Sequence, residues 1–388
     1  MKTAVRIIQV LVGVLFIISG LVKANDPVGL SYKMQEFFEL WSAGFANGSL
    51  VSGVLDFLHN EALVLSIFMI TLEVLLGIAL LLGWMKKLVL WLLLLLMVFF
   101  TFLTGYAYLS GKFTNCGCFG DCLPITPLTS FLKDLVLLAF ILFLFAGQRF
   151  IQPVLSRSAR TLVLTFSLVF CIGFQWYVLN YLPVADCLPF KKSNYLPAQM
   201  KPPPGAVPDS FAIRFVYEKG GKTFEFAPEN LPADFTTYKF VDRKQSLVRK
   251  GNAEAPIRGF TLTNDEKDSI TGNSIDATET ILAQPKAIML FALDFTDSSW
   301  IPEAKMIIDA AEKKNIPVSI ISPDFAQAQT AFAKAGVTGA QFYNTDFTIV
   351  RTVARTNPTV LYLENGTVKK KWSKRELEKA AAFFASGH

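Results

Sequence analysis

Five long apolar stretches constrain the fold of this chain more than any other feature. They cover residues 4–23, 62–83, 87–109, 129–147 and 161–181. Each is close to the roughly 20 apolar residues that a helix needs to cross a bilayer. The first stretch is too long for a secretory signal and lacks its small-residue cleavage site, so we interpret it as a retained helix. The pattern predicts a multi-pass membrane protein whose first partner is the lipid bilayer.

The charged residues lie mostly after these stretches. Only 11 of the 37 Lys and Arg residues and 8 of the 31 Asp and Glu residues precede residue 184. An apolar half is therefore followed by a charged half of soluble character. The net charge of +6 is spread over both halves, with no basic run longer than Lys369–Lys371. This distribution argues against a nucleic-acid partner.

The basic residues between the apolar stretches predict the orientation. If the N-terminus is cytoplasmic, the inside loops carry Lys86, Lys87, Arg149, Arg157 and Arg160. An excess of Lys and Arg is typical of cytoplasmic loops. Five crossings then place the 110–128 loop and everything after residue 182 outside the cytoplasm. We expect a bacterial cytoplasmic (inner) membrane protein with a periplasmic C-terminal domain.

The first outside loop contains two segments with apolar residues at helical spacing, "YKMQEFFELW" and "VSGVLDFLH". Two interpretations fit this spacing. The helices lie on the outer face of the bilayer, or they pack as a cap over the bundle.

The chain divides into four parts by composition. Residues 1–150 form a four-helix transmembrane bundle and residues 151–183 a fifth transmembrane helix. Residues 184–208 form a linker, because "NYLPAQMKPPPGAVP" contains five prolines in fifteen residues. Residues 209–388 form an extracytoplasmic domain.

That domain alternates strand and helix patterns. "FAIRFVYEKGGKTFEFA" predicts a β-hairpin around Gly-Gly. The later segments are the strands "APIRGFTLT", "AIMLFAL" and "PVSII", helices over 302–314 and 324–335, the strand pair "TVLYLENGTVKKKW", and a helix over 373–385. This order predicts an α/β sheet with helices on both faces.

Three of the five cysteines are crowded into "TNCGCFGDCLP" as Cys116, Cys118 and Cys122. Cys187 follows the fifth apolar stretch, so it lies at the same membrane surface. Cys171 falls in the middle of that stretch, where a small apolar packing residue is expected. Four cysteines at one oxidising surface allow three complete pairings.

Three interpretations of these cysteines remain open. An electron relay fits the glycines and the helix that begins after Pro127, whose N-terminal dipole lowers a nearby thiol pKa. Lys112 and Lys133 add positive charge. Two inert disulfides would instead pin the loop to the bundle. A four-thiolate metal site is disfavoured because the paired Cys-x-x-Cys spacing is absent, so we predict no metal.

Glu73 lies in the middle of "MITLEVLLGIALLLG", where a carboxylate is costly unless it is protonated or paired. Lys23, and Lys133 with its neighbour Asp134, are the candidate partners. The pair either fixes packing inside the bundle or provides a protonatable group on a quinone or proton path.

The segments "LFIISGLVKANDP", "LEVLLGIALLLG" and "GCFGDCLPITPLTSFLKDLVLL" resemble the DoxX/MauE-like membrane family over residues 4–147. The resemblance implies a four-helix bundle with Lys23, Glu73, Cys116 and Cys118 on motif positions. It also implies disulfide maturation of extracytoplasmic proteins, quinone-linked sulfur chemistry, or no known activity, so the cofactor stays open with quinone as the candidate.

The segments "APIRGFTL", "AIMLFALDFTDSSWIPE" and "ARTNPTVLYLENGTV" resemble TlpA-like and peroxiredoxin-like thioredoxin domains over residues 255–385. The resemblance implies a cis-proline at Pro358 and a peptide-binding groove with Trp300 beside it. The turn from Asp294 to Trp300 lacks the family's Cys-x-x-Cys, and no cysteine follows Cys187. The domain therefore cannot exchange thiols by itself, and we expect it to bind or dock a partner.

Two functional hypotheses follow. The first is a thiol-disulfide, quinone-linked oxidoreductase that relays electrons between extracytoplasmic thiols and quinone. Its catalytic residues would be Cys116, Cys118, Cys122, Cys187, Glu73, Lys23 and Lys133. The second is a non-enzymatic assembly or scaffold protein whose redox-inactive thioredoxin-like domain binds an envelope protein. A channel or transporter is weaker, because the sequence has neither an inverted repeat nor broken helices.

Overall fold

The structure is a computed structural model of the 388-residue chain. It describes residues 1–46, 48–111, 120–122, 125–249, 251–267 and 274–386.

The N-terminal half is helical. Its helices are α1 (Lys2–Ala24), α2 (Pro27–Ser42), α3 (Leu50–Asn60), α4 (Ala62–Leu82), α5 (Lys86–Ser110), α6 (Pro127–Ala146) and α7 (Arg157–Tyr181). The five longest, α1 and α4 to α7, are long and apolar enough to cross a membrane. They coincide with the five predicted spans, and no end moves by more than four residues.

Small residues bring α1 and α4 into close contact. A Cβ atom on Gly77 would lie 2.7 Å from the backbone oxygen of Gly13, and one on Gly20 would lie 2.5 Å from Val74. Helices in membranes gain most of their attraction from such close packing. The two helices therefore pack tightly enough for their polar side chains to meet.

The two shorter helices differ in burial. α2 buries Met34, Phe37 and Phe38, and it packs against α4. α3 leaves Leu50 and Phe57 exposed at 84% and 64%. The packing cap therefore describes α2, whereas the outward apolar face of α3 suits a helix at a bilayer surface.

The predicted linker over 184–208 is shorter in the structure. Phe190 and Leu196 are fully buried in a core of the C-terminal domain. The backbone N–H of Leu196 donates to the carbonyl oxygen of Gly366 at 2.9 Å, and a short helix, α8, covers Leu196–Gln199. Burial of these two side chains overrides the proline-rich composition, so the segment before Met200 belongs to the domain.

A small antiparallel sheet follows. Its strands are β1 (Ser210–Lys219), β2 (Lys222–Phe226) and β3 (Lys239–Arg249), in the order β2-β1-β3. The hairpin turns at Gly220 and Gly221, whose φ angles are +60° and +74°, values that glycine adopts without strain. The predicted hairpin is present, and β3 is an additional strand.

The rest of the domain is built on a seven-stranded sheet. Its strands are β4 (Thr263–Lys267), β5 (Ser274–Asp276), β6 (Lys286–Phe291), β7 (Val318–Ser322), β8 (Ala340–Asn344), β9 (Thr359–Glu364) and β10 (Thr367–Ser373). The order is β10-β9-β6-β7-β8-β4-β5, with β6, β7 and β8 parallel. The helices are α9 (Thr278–Leu282), α10 (Ile301–Glu312), α11 (Phe325–Lys334), α12 (Phe347–Val353) and α13 (Leu377–Ala385).

Each face of this sheet carries its own apolar core. Side chains of α10, α11 and α13 form one core, and those of α8, α9 and α12 belong to the other. The predicted strand "APIRGFTLT" is wrong over most of its length, because β4 begins only at Thr263. Ile257, Phe260 and Leu262 are buried without regular strand pairing.

Candidate functional site

An ion pair lies inside the helical bundle where α1 meets α4. Lys23 Nζ is 2.7 Å and 3.0 Å from the two carboxylate oxygens of Glu73. Each side chain is only 4% exposed. The ammonium group also lies 4.5 Å from the centre of the Phe100 ring, which adds a cation–π contact. Glu73 is thus paired, as its position in an apolar helix requires.

A second charged group faces the first from α5 and α6. Lys133 Nζ lies 2.6 Å from Asp134 Oδ1, and the Thr104 hydroxyl donates to Asp134 Oδ2 at 3.0 Å. Lys133 was a candidate partner of Glu73, but its carboxylate contact is with Asp134. The apolar sequence around Glu73 does not distinguish these pairings, because both lysines lie near one end of the bundle.

The two pairs enclose one small cavity of about 60 Å³. Its lining consists of Leu15, Phe16, Ser19, Lys23, Glu73, Met97, Phe100, Lys133, Asp134 and Leu137. Two ammonium groups and two carboxylates cancel in formal charge. The structure therefore places Lys23, Glu73 and Lys133 around one cavity.

A disulfide joins Cys122 to Cys187, with an S–S distance of 1.95 Å and a Cα–Cα distance of 4.9 Å. Cys122 ends a short 3-10 helix, Gly120–Cys122, that precedes α6, and Cys187 follows α7. Both residues are half-buried. Cys116 and Cys118, two of the predicted site cysteines, lie outside the described residues. Cys171 is 1% exposed in α7.

Contacts with α1 hold both ends of this disulfide at the bundle. Asn25 Nδ2 donates to the Ala185 carbonyl at 2.8 Å, and the Ala185 N–H donates back to Asn25 Oδ1 at 3.0 Å. A Cβ atom on Gly120 would lie 3.8 Å from Val22. The disulfide therefore lies at the end of α1 that carries Lys23.

The C-terminal domain docks on the same end of the bundle. Arg355 Nε lies 2.8 Å from Asp26 Oδ2, and the side chains of the pair are only 4% and 12% exposed. Lys371 Nζ lies 2.9 Å from Asp186 Oδ2, although burial lowers the pKa of Lys371. These pairs were not predicted from the sequence, since contacts between residues more than 180 positions apart leave no local pattern.

Aromatic and cationic groups complete this docking surface. The Arg351 guanidinium stacks 4.3 Å from the centre of the Tyr32 ring and donates to Gln35 Oε1 at 2.8 Å. Burial raises the pKa of Tyr32, although Arg355 and Arg351 oppose that shift. Tyr32 is therefore neutral and packed at ordinary pH.

Pro358 and Trp300 lie on the side of the domain that faces the bundle. The Asn357–Pro358 peptide bond is cis, and the Asn357 side chain links the turn at Asp294 by donating to its carbonyl at 2.9 Å. Pro358 is buried. Trp300 is 2% exposed and packs on Phe332. The indole is thus mainly a core residue, and little of its ring is offered to a peptide.

Within the described ranges, no group of three or more His, Cys, Asp or Glu side chains could hold a metal ion.

Comparisons with known proteins match the N-terminal helices and the small sheet to two separate families. Residues 1–147 match the family described as "Methylamine utilisation protein MauE". The N-terminal helices therefore form a MauE-like membrane domain. Residues 211–250, which contain the small sheet, match a family described as "Domain of unknown function (DUF8463)".

A curated relative is "Protein TlpB" of Flavobacterium psychrophilum, which is 32% identical over 141 residues. The alignment covers 36% of this chain and 35% of that protein. The chain thus matches about a third of the length of this relative. No solved structure matches the chain.

Proposed function

We propose that the chain is a membrane thiol-disulfide exchange protein that uses the Cys122–Cys187 disulfide. The observation that carries this proposal is the position of that disulfide. It joins the cysteine-rich loop to the segment that leads into the C-terminal domain, and both sulfurs belong to half-buried residues. The MauE-like N-terminal domain and the similarity to TlpB support it.

In the proposed exchange, two thiols of a partner supply the electrons that reduce the disulfide. A thiolate of a partner dithiol attacks one sulfur of the Cys122–Cys187 bond, which breaks and leaves a mixed disulfide. The second partner thiolate attacks that bond and releases the partner as a disulfide. Two electrons and two protons then reside on the Cys122 and Cys187 thiols. The disulfide of a second partner protein, attacked in turn by these two thiolates, restores the Cys122–Cys187 bond and leaves with the two electrons and two protons.

We propose an orientation in which the N-terminus is cytoplasmic. The basic residues of the two loops on that side, Lys86, Lys87, Arg149, Arg157 and Arg160, support it. The disulfide and the C-terminal domain then lie outside the cytoplasm, in the bacterial periplasm. Disulfides persist in that compartment.

Lys23, Glu73 and Lys133 act in this proposal as positioning residues. The Lys23–Glu73 ion pair bridges α1 to α4 at 2.7 Å. Lys133 pairs with Asp134 on α6 at 2.6 Å, and Asp134 accepts the hydrogen bond from Thr104 that bridges α5 to α6 at 3.0 Å. The loop that carries Cys122 connects α5 to α6, so these contacts fix its two ends.

The charged cavity does not fit a quinone ring. Its volume is about 60 Å³, whereas a cavity of about 150 Å³ is the size that accommodates benzene. The proposal therefore includes no quinone step, and a partner protein supplies or accepts the electrons.

We infer a thioredoxin-like fold for residues 255–385, and a role in orienting the partner protein. The parallel strands β6 and β7, the antiparallel β9 and β10, and the cis bond at Pro358 support this inference. The turn after β6 carries no cysteine. The domain would thus orient a partner while the bundle supplies the sulfur chemistry.

A single-turnover assay tests the proposal. The full chain in bicelles is mixed with a reduced synthetic peptide that contains two cysteines, and the peptide disulfide is quantified by mass spectrometry. We expect one peptide disulfide per chain for the wild type and for Cys171→Ala, whose thiol is buried in α7. Cys187→Ala should lose the activity. A folded Cys187→Ala variant with unchanged exchange would overturn the assignment.

A second function, a non-enzymatic scaffold, is favoured by one observation. The buried pairs Arg355–Asp26 and Lys371–Asp186 fix the C-terminal domain to the bundle. In this alternative the disulfide only reinforces that docking. An inert wild-type disulfide in the peptide assay, together with loss of docking in Cys187→Ala, would support the scaffold.

A further inference from the structure

A polar cleft lies where the last turn of α7 meets the C-terminal domain. Its volume is about 520 Å³, within the range of small-molecule sites. The lining comprises Leu179, Asn180, Ser299, Trp300, Glu303, Thr356, Asn357, Lys374, Arg375, Leu377 and Glu378. One wall is therefore the end of a candidate membrane span, and the other is the folded domain.

Buried polar atoms in this lining lack partners. Trp300 Nε1 and Glu303 Oε2 are inaccessible to solvent, and neither has a hydrogen-bond partner among the described residues. An unsatisfied buried donor or acceptor costs about 1–3 kcal/mol. Because these two atoms are closed off, a ligand in the cleft meets Glu303 through its other carboxylate oxygen.

The charges of the cleft also lack counter-ions. Within the described residues, Glu303 and Glu378 form no ion pair, and the Arg375 guanidinium contacts no carboxylate. Arg375 Nε instead donates to Asn180 Oδ1 at 3.3 Å. Lys374 is paired with Asp297, outside the lining. Two carboxylates and one guanidinium in the cleft are thus available to pair with the charges of a bound ligand.

The surroundings place the cleft at the level of lipid headgroups. Tyr177 and Tyr181 stack at the same end of α7, with ring centres 5.2 Å apart, and Trp176 is 59% exposed one turn earlier. Tyrosine and tryptophan are enriched where a membrane span meets water. A lipid that reached this cleft could lay its acyl chains along the exposed face of α7.

We propose that the cleft binds the headgroup of a zwitterionic phospholipid with a primary ammonium group, of the phosphatidylethanolamine class. The ammonium carries three N–H donors for Glu303 and Glu378. The phosphate accepts from the Arg375 guanidinium, whose planar donors suit phosphate oxygens. An extended peptide would offer neutral amides and would leave these charges unpaired. The proposal is independent of the cysteine chemistry.

Native mass spectrometry of the full chain tests this binding. The protein is released from nanodiscs that contain equal amounts of phosphatidylethanolamine, phosphatidylcholine and phosphatidylglycerol, and the retained lipids are counted. Because phosphatidylcholine has no N–H donor, we expect phosphatidylethanolamine to be retained about tenfold more strongly, in keeping with a charged hydrogen bond. Equal retention of these two lipids would overturn the proposal.

Variants then assign the contacts. Glu303→Gln and Glu378→Gln should each reduce phosphatidylethanolamine retention without changing phosphatidylglycerol retention, whereas Arg375→Gln should reduce both. Lys379→Gln is the matched control, because Lys379 is 71% exposed on the same helix and outside the cleft. Glu378 is exposed, so its replacement keeps the test valid if Glu303→Gln does not fold.

Two competitors separate other occupants from the lipid. Soluble glycerophosphoethanolamine should displace little lipid, because it lacks the chains that lie along α7. Full displacement by it would assign the cleft to a soluble zwitterion and overturn the lipid source. Displacement by an extended neutral peptide would overturn the headgroup assignment.

Discussion

Removal of one partner of the Lys23–Glu73 pair should destabilise the bundle severely. Glu73→Gln removes the carboxylate charge and leaves the Lys23 ammonium buried beside neutral groups, the new amide oxygen and the Phe100 ring at 4.5 Å. The other carboxylate of the cavity, Asp134, already contacts Lys133 and Thr104. It is therefore not free to replace Glu73.

The magnitude follows from the burial of both groups. Each side chain is 4% exposed, and breaking such a buried pair costs about 3–5 kcal/mol because one charge stays uncompensated. The double variant Lys23→Met/Glu73→Met removes both charges and keeps similar volumes. Its loss should be smaller than that of either single variant, Lys23→Met or Glu73→Met, which gives a coupling energy of at least about 3 kcal/mol.

Unfolding of the full chain by sodium dodecyl sulfate in mixed micelles, followed by circular dichroism, measures these free energies. Glu36→Gln is the matched control, since Glu36 is exposed on α2, and its change should stay below about 0.5 kcal/mol. A Glu73→Gln variant as stable as this control would refute the pairing. Additive losses in the double variant would refute the coupling.

Three further predictions concern the C-terminal domain. Arg355→Ala should lower the free energy of unfolding by about 3 kcal/mol in the same assay, because it leaves Asp26 unpaired. Arg258→Ala is the control and should lower it little, since the Arg258–Glu254 pair is exposed. Equal losses in the two variants would contradict the docking. Phe190→Ala should lower the free energy of unfolding by about 3–5 kcal/mol, because Phe190 is fully buried. Val184→Ala should leave it nearly unchanged, because Val184 is 66% exposed. A Phe190→Ala variant as stable as the wild type would support the linker interpretation. Burial, with the hydrogen bond to Glu364, raises the pKa of Tyr362 from 10.0 to about 12. The folded state thus keeps a proton that the unfolded state loses, so the contribution of Tyr362 is complete below pH 10 and is lost as the pH rises to 12. Tyr362→Phe should flatten this part of an alkaline unfolding curve, and an unchanged slope would contradict it.

The membrane half could be predicted well from the sequence. Twenty-residue apolar stretches have few alternatives to spanning helices, so α1 and α4 to α7 were found nearly to the residue. A carboxylate such as Glu73 in that setting requires a partner, which restricted the choice to nearby lysines. The choice between Lys23 and Lys133 depends on the packing of α1 on α4, and no local pattern records it.

The C-terminal domain was predicted less completely. Buried strands such as β6 and β7 are short apolar runs with clear ends, and they were recognised. β3, β8 and α12 were missed because their apolar residues are fewer or interrupted by polar ones. The segment around Phe190 and Leu196 was misassigned because prolines suggested a linker, whereas long-range burial decided its position.

The redox behaviour of the Cys122–Cys187 disulfide tests the central claim most directly. Native membranes with the full chain are equilibrated in graded mixtures of reduced and oxidised dithiothreitol, labelled with two distinguishable alkylating reagents, and analysed by mass spectrometry. If the protein exchanges disulfides, the Cys122–Cys187 bond should be reduced to two thiols at potentials above about −300 mV, the range of labile disulfides. A disulfide that stays closed until the protein unfolds would contradict the exchange function and leave an anchored scaffold.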